Sequence, residues 1–463
     1  MIGGMDTTRP DVTSAPPKRA FGFWICLALV VGNMIGSGFF LLPATLAPFG
    51  WNGVAGWVVT TSGALCLAVV FGSLARAYPK AGGPYAYSRE AFGPFPAFIV
   101  AWSYWVSMWI GNVAIATGVI APLSTVFPGL VAHSAMVTLG LVWTLTAINC
   151  LGARPVGIIQ LVTTLLKFLP LAAVVVLAIL VLGDGGGAAA PPLRAEDLQL
   201  GGATGIAAAA ALTLWSFLGL ESATVPAERV ANPSRNIPRA TLIGVAVTGL
   251  VYTFACSAVA LMMPPDQVAH SGAPMADFIG RHWGGPAATL IALFAAIAAF
   301  GTLNGWILMQ GELPWAMARD GVFPAWLAKL SRRGTPARAH VVASLLLTAV
   351  LALNQSRSMT DLFGFLILLA TTASLVAYLV CSLAAVRLGV GPRIVPIFLL
   401  AALFSLWAIW GAGAEAMKWG AALLATGVPL YFLTKLSARS SPAAAADPAA
   451  LPESGAAASS RSS

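Results

Sequence analysis

"GNMIGSGFF", Gly32 to Phe40, lies within an uncharged, mostly apolar run from Phe21 to Ala47. That run is long enough to cross a bilayer, since about 20 helical residues span the hydrocarbon core. Asn33, Ser37 and three glycines near the middle of such a span need a reason. Glycine weakens a helix, and an unpaired polar group in hydrocarbon is costly.

Composition sets the class around this stretch. The 463 residues are 58% hydrophobic and only 9% charged, and apolar runs of span length recur along them, the signature of a multi-pass membrane protein. Twelve spans are expected, near 22–47, 54–76, 95–125, 135–151, 157–182, 203–227, 239–263, 286–316, 339–355, 360–388, 393–412 and 415–436. Of the 25 basic residues, Arg194, Arg281, Arg357 and Lys418 fall in loops on one side and Lys167 inside a span. The other twenty gather on the opposite side, so the positive-inside rule places both termini in the cytoplasm. The net charge of +9 therefore reports topology and contact with anionic lipid rather than nucleic acid.

Residues 1–20 and 437–463 read as disordered cytoplasmic tails, with no removable signal peptide at the start. All five cysteines lie in or beside spans without metal or disulfide spacing and read as packing residues. No cofactor or metal is expected. No HExxH, nucleophile elbow or phosphate loop appears, which argues against a membrane-embedded enzyme or sensor.

A second stretch resembles the first. "LWSFLGLESATVP", Leu214 to Pro226, interrupts the sixth span with Ser216, Gly219, Glu221 and Ser222. Breaks in the first and sixth spans point to two inverted repeats of five helices each, with the interrupted segments meeting at the membrane midplane. Unwinding at Gly36-Ser37-Gly38 would free backbone N–H groups at the start of the next half-helix, whose positive dipole end suits a carboxylate. Carbonyls of Met34, Trp215 and Leu218 would suit an ammonium, and together they describe a receptor for an α-amino acid. Small residues also serve simply to pack helices, and the pairing of the two breaks is what favours a site.

Five stretches carry a family resemblance: "GNMIGSGFFLLPATLA" (32–47), "AGGPYAYSREAFGPF" (81–95), "SYWVSMWIGN" (103–112), "LWSFLGLESATVPAERVANPSRNIPRAT" (214–241) and "GWILMQGELPWAMARDGVFP" (305–324). With them the chain resembles the amino acid, polyamine and organocation transporter superfamily over residues 22–436. Within it, the similarity is to the bacterial arginine/agmatine antiporters of the basic amino acid and polyamine branch. The resemblance implies an all-α integral membrane protein with a five-plus-five inverted-repeat (LeuT-like) core and two peripheral helices. The repeats would run about 21–182 and 203–388, and the peripheral helices, about 393–436, would often form a homodimer. It implies a multi-pass protein of the bacterial inner membrane. It implies that Ser37 and Gly38 hold the substrate carboxylate while backbone oxygens of Met34, Trp215 and Leu218 take the α-amino group. Trp215 and Trp306 would wall the cationic side chain, Asn112 would bond a guanidinium, and Tyr104, Glu221 and Tyr378 would gate.

The residues support parts of this on their own. Tyr104, Met108 and Asn112 are four apart and share one helix face, and tryptophan is the best aromatic partner for a cation. Packing tryptophans remain the alternative. Glu221 is costly in lipid, so it could bind a cation or carry a proton; a hydrogen-bonded carboxylate at a helix break is the alternative. Lys167, in "TTLLKFLPL" (163–171), departs from the antiporter pattern. A lysine there resembles that of proton-coupled or cation-independent permeases of the superfamily, where an ammonium occupies the place of a sodium ion; the alternative is a lysine snorkelling to an interface. Glu312 and Asn304 are weaker signals and are not placed in the site. Two transport readings follow: exchange of a cationic amino acid for its decarboxylated amine, or proton-linked uptake of neutral or small amino acids through Lys167.

Overall fold

The computed structural model describes residues 20–183, 193–353 and 359–439. The expected tails therefore lie outside the described residues apart from Ala20 and positions 437–439, as does Arg357. Among the described residues ten helices are long and apolar enough to span a membrane, and two shorter apolar helices cover Ile206–Phe217 and Ala337–Ala352. The expected count of twelve is thus reached only by adding these two.

The chain runs α1 (Phe23–Met34), α2 (Ser37–Leu46), α3 (Trp51–Ala77), α4 (Pro84–Phe92), α5 (Pro94–Val126), α6 (Ser134–Leu151) and α7 (Ala153–Gly183). It continues with α8 (Ile206–Leu214), α9 (Pro233–Met262), α10 (Pro265–Ala269), α11 (Pro274–Trp283), α12 (Gly285–Arg319), α13 (Ala337–Leu353) and α14 (Met359–Arg387). α15 (Val395–Gly411) and α16 (Gly413–Arg439) close it. Among the described residues no strand forms, only one bridge between Phe21 and Val230. Helices satisfy their own backbone in lipid, which open strands cannot.

The main helix contacts recur when the first five spans are exchanged for the next five. α5 packs on α12 and α3 on α9; α1 packs on α9 as α8 does on α3; α7 packs on α12 as α14 does on α5. The short helix α4 rests on α5 and α14, and α11 rests on α12 and α7. Even the entries to the two central helices match. Gly93 before α5 has φ 86° and ψ −174°, and Gly284 before α12 has φ 87° and ψ 174°. That left-handed φ favours glycine. α15 and α16 sit outside this core, against α14, α3, α8 and α5.

Candidate functional site at the paired helix breaks

The first break is shorter than the sequence suggests. α1 ends at Met34, Ile35 and Gly36 bend, and α2 already begins at Ser37. The expected unwound trio is therefore corrected to Ile35 and Gly36, with Ser37 and Gly38 in the first turn of α2, where backbone N–H groups lack intrahelical acceptors. Side chains from α9 and α12 take up freed carbonyls. Thr302 on α12 contacts Gly32 O and Ile35 O at 2.8 Å each, Tyr252 on α9 donates to Met34 O at 2.6 Å, and Trp306 Nε1 donates to Asn33 O at 3.3 Å. Asn33 itself donates to Ser222 Oγ at 2.9 Å and accepts from Gln160 Nε2 at 3.2 Å. A polar residue in mid-membrane is thus satisfied by tying the first break to the second.

The second break differs. α8 passes into a tight turn at Trp215–Phe217, and the chain proceeds to Pro226 as successive turns rather than a second half-helix. These turns bond from Leu220 to Phe217, Ser222 to Gly219 and Thr224 to Glu221. Gly219 has φ 102°, and a Cβ there would lie 2.8 Å from Asn33 Cβ, so no other residue fits without strain. Glu221 is fully buried, and Tyr104 on α5 and Tyr378 on α14 each donate to one of its oxygens. The structure brings these three residues into one cluster.

Between the breaks lies a small enclosed cavity of about 10 Å³, room for a single water. Met34, Ser37, Gly38, Trp215, Leu218 and Trp306 line it, and so do Asn33, Gly36, Ile115 and Thr302. The hydroxyls of Ser37 and Ser216 are buried with no hydrogen-bond partner among the described residues. Both flank the start of α2, since a Cβ added to Gly38 would strike Ser216 Oγ. Two spare hydroxyls at a helix N-terminus can serve a carboxylate. Leu218 O accepts no hydrogen bond among the described residues, whereas Trp215 O already accepts from Leu218 N and Met34 O from Tyr252.

Met108 and Asn112 are buried but do not line this cavity. Asn112 is bonded to Gln310 on α12, while Tyr104 on the same helix face joins Glu221, so that face serves two different neighbours. Lys167 is fully buried beside the first break, its ammonium donating to Gly32 O and to Thr302 Oγ1, the latter at 2.8 Å. That position rules out the snorkelling alternative, because the nitrogen ends on buried backbone. Asn304 bonds Val156 O and Gln160 Oε1, away from the cavity.

The two exits differ. Toward the α4 end, Arg229 and Glu312 form a buried pair at 2.8 Å, and Arg229 also donates to Gly334 O at 3.1 Å. Below it Arg319 holds Glu228 with two bonds of 2.8 and 2.9 Å, and Arg89 pairs with Asp320. Burial, and then the neighbouring Asp320 carboxylate, push the Tyr85 phenol above its ordinary range, so it stays a donor to Asp320. Toward the α11 end, a cavity of about 380 Å³ is lined by residues including Leu41, Thr45, Thr117, Ala121, His270 and Phe363. Leu41 is one helical turn beyond Ser37, about 6 Å along α2.

Sequence reading missed Ile115, Tyr252 and Thr302, and it named Ser216 only as part of the second break. It also missed His340, a histidine within an otherwise apolar span, fully buried with neither ring nitrogen partnered among the described residues. A hydroxyl or amide on the face shared with a flagged residue was the available signal.

Two interrupted helices facing each other inside an inverted-repeat bundle, around a small buried cavity, define a transporter rather than an enzyme. The amino acid permease family model matches residues 21–432, and the chain belongs to that family of multi-pass membrane transporters. It is 33% identical over 394 residues to the putative arginine/ornithine antiporter of Bacillus subtilis (strain 168), covering 79% of this chain and 83% of that one. It is 32% identical over 367 residues to the cadaverine/lysine antiporter of Escherichia coli (strain K12), covering 78% and 82%. It is 28% identical over 416 residues to the putrescine transporter PotE of Haemophilus influenzae, covering 87% and 94%. In fold it is similar to Mhp1, a nucleobase-cation-symport-1 family transporter, in a closed conformation with bromovinylhydantoin bound. The TM-score there is 0.54 at 12% identity, over 89% of this chain and 96% of that one.

Proposed function

We propose that this protein exchanges a cationic amino acid for a decarboxylated amine by alternating access, with arginine and agmatine as the leading pair. The observation that carries the reading is the cavity itself: the start of α2 with unpartnered Ser37 and Ser216 hydroxyls, and Trp215 and Trp306 beside it. The hydroxyls and N–H groups suit a carboxylate, and the indole rings suit a cation. The relatives' names give arginine, ornithine, lysine, cadaverine and putrescine, solutes that share an amine or guanidinium. In this reading Ser37 and Gly38 hold the carboxylate, Met34, Trp215 and Leu218 offer oxygens to the ammonium, and Met108 and Asn112 border the distal group once the cavity widens. Tyr104, Glu221 and Tyr378 then form the gate toward the α4 end.

Both termini are taken as cytoplasmic, which makes the α4 end the inner one and the 380 Å³ cavity an outer vestibule. Homodimerisation through α15 and α16 belongs to the same proposal.

One observation favours a second reading. Lys167 bridges Gly32 of the first break and Thr302 of α12, a position from which loss of its charge would loosen the break. Purified protein in liposomes separates the two. Counterflow of labelled arginine against internal agmatine, independent of a pH gradient, supports exchange. Net uptake of neutral amino acids driven by a pH gradient, without counterflow, would replace it with proton-linked uptake.

A further inference from the structure

Asn112 lies at the edge of the proposed site. Its neighbour Gly111 abuts Trp215, so that a Cβ there would sit 3.2 Å from Trp215 Cη2, and Ile115, one turn on, lines the cavity. An asparagine amide has two faces with opposite chemistry: the oxygen accepts hydrogen bonds and the nitrogen donates them. Which of them is left for a solute decides whether the site selects donors or acceptors.

A chain of four bonds decides it. Thr146 on α6 donates its one hydroxyl hydrogen to Val142 O at 2.7 Å, and a backbone carbonyl can only accept. The 2.7 Å contact between Thr146 and Ser344 must then carry the hydrogen of Ser344. Ser344 Oγ is therefore free to accept from Gln310 Nε2, at 3.2 Å. With the Gln310 nitrogen so engaged, its oxygen accepts from Asn112 Nδ2 at 2.8 Å. What remains is Asn112 Oδ1, fully buried and without a partner among the described residues. Every member is buried, and reversing the order would leave the 2.7 Å contact between Thr146 Oγ1 and Val142 O with no hydrogen in it.

We propose that Gln310, backed by Ser344 and Thr146, is a positioning residue that sets substrate choice by holding the Asn112 amide with its oxygen as the free group. The site then favours a side chain whose far end carries N–H donors, a guanidinium or ammonium, over an isostere ending in a carbonyl. This inference rests on the reading that Asn112 meets the distal end of the substrate.

The test is a double-mutant cycle on the ratio of arginine to citrulline affinity, with Gln310→Leu, Asn112→Asp and the pair in liposomes. Citrulline is neutral and replaces one terminal nitrogen by a carbonyl oxygen. Gln310→Leu frees the amide to turn, so the ratio should fall roughly tenfold, through KM rather than turnover. In the Asn112→Asp background the same substitution should leave the ratio unchanged, because a carboxylate accepts in either orientation. Ser344→Ala, a smaller change, should reproduce part of the fall with the thermal midpoint monitored alongside. An equal fall in both Asn112 backgrounds, or no fall in either, would overturn the proposal. Asn112→Leu that leaves arginine affinity untouched would instead remove the reading of Asn112 on which it rests.

Discussion

The two breaks meet the same demand in different ways. At the first, two residues bend and the helix resumes, and the carbonyls of Gly32, Asn33, Met34 and Ile35 are met by side chains of α7, α9 and α12. At the second, the chain bonds mostly to itself through successive turns, and neighbours hold the Glu221 carboxylate, the Ser222 hydroxyl and the Val225 carbonyl. The first is a backbone anchored by neighbouring side chains and the second a largely self-bonded one. An element that moves in a transport cycle needs few attachments that break together, so the second break is better suited to move.

The largest effect is expected where the two breaks touch. Gly219→Ala forces a side chain into left-handed backbone and against Asn33, a cost of roughly 1 to 3 kcal/mol before any clash. Arginine counterflow should be lost and the purified protein should melt earlier. Wild-type counterflow in this variant would mean that the breaks do not need their close approach.

Second in size is the contrast between Lys167 and Glu221. In an exchanger Lys167→Ala should retain exchange and selectivity, because two solutes sharing one site need no third charge. Glu221→Gln should then abolish any dependence of exchange on pH, since only the carboxylate remains to take a proton there. The measurement is exchange and net uptake at several pH values. A Lys167→Ala protein that binds arginine but exchanges at no pH would transfer the coupling role to the first break.

How far the chain revealed this depends on how rare each residue is in lipid. Glu221, Lys167 and the glycine pairs stand out because charge and helix-weakening residues are costly there, so the breaks and Glu221 were legible, while Tyr104 and Tyr378 were named beside Glu221 only through the family resemblance. Thr302, Ser344 and Gln310 were not, because hydroxyls in a membrane helix commonly bond back to their own turn and nothing in a sequence says which reaches across. The exact bend at Ile35–Gly36 was hidden for a related reason. Four residues of mixed polarity admit several unwound registers, and the side chains that choose among them come from α7, α9 and α12.

A smaller effect is expected at the indoles. Trp306→Leu and Trp215→Leu should weaken arginine by about 1 to 2 kcal/mol, roughly five- to thirtyfold, and leucine by less. Both changes remove apolar contact, but only the cation loses a ring face. Equal losses for the two solutes, measured by competition, would favour the neutral-substrate reading.

The smallest effect separates the breaks most finely. Tyr252→Phe keeps the ring against Phe39, Trp57 and Phe217 but deprives Met34 O of its donor, which costs about 1 to 3 kcal/mol when a buried acceptor is left bare. Tyr378→Phe removes one of the two donors to Glu221 in the same way. If Met34 O receives the substrate's ammonium, saturating arginine supplies the missing donor to the first break and none to the second. The thermal midpoint of Tyr252→Phe should then recover more on adding arginine than that of Tyr378→Phe, each measured against its own substrate-free state. Equal recovery would place the ammonium elsewhere and leave Leu218 O, which accepts no bond among the described residues, as the acceptor that faces it.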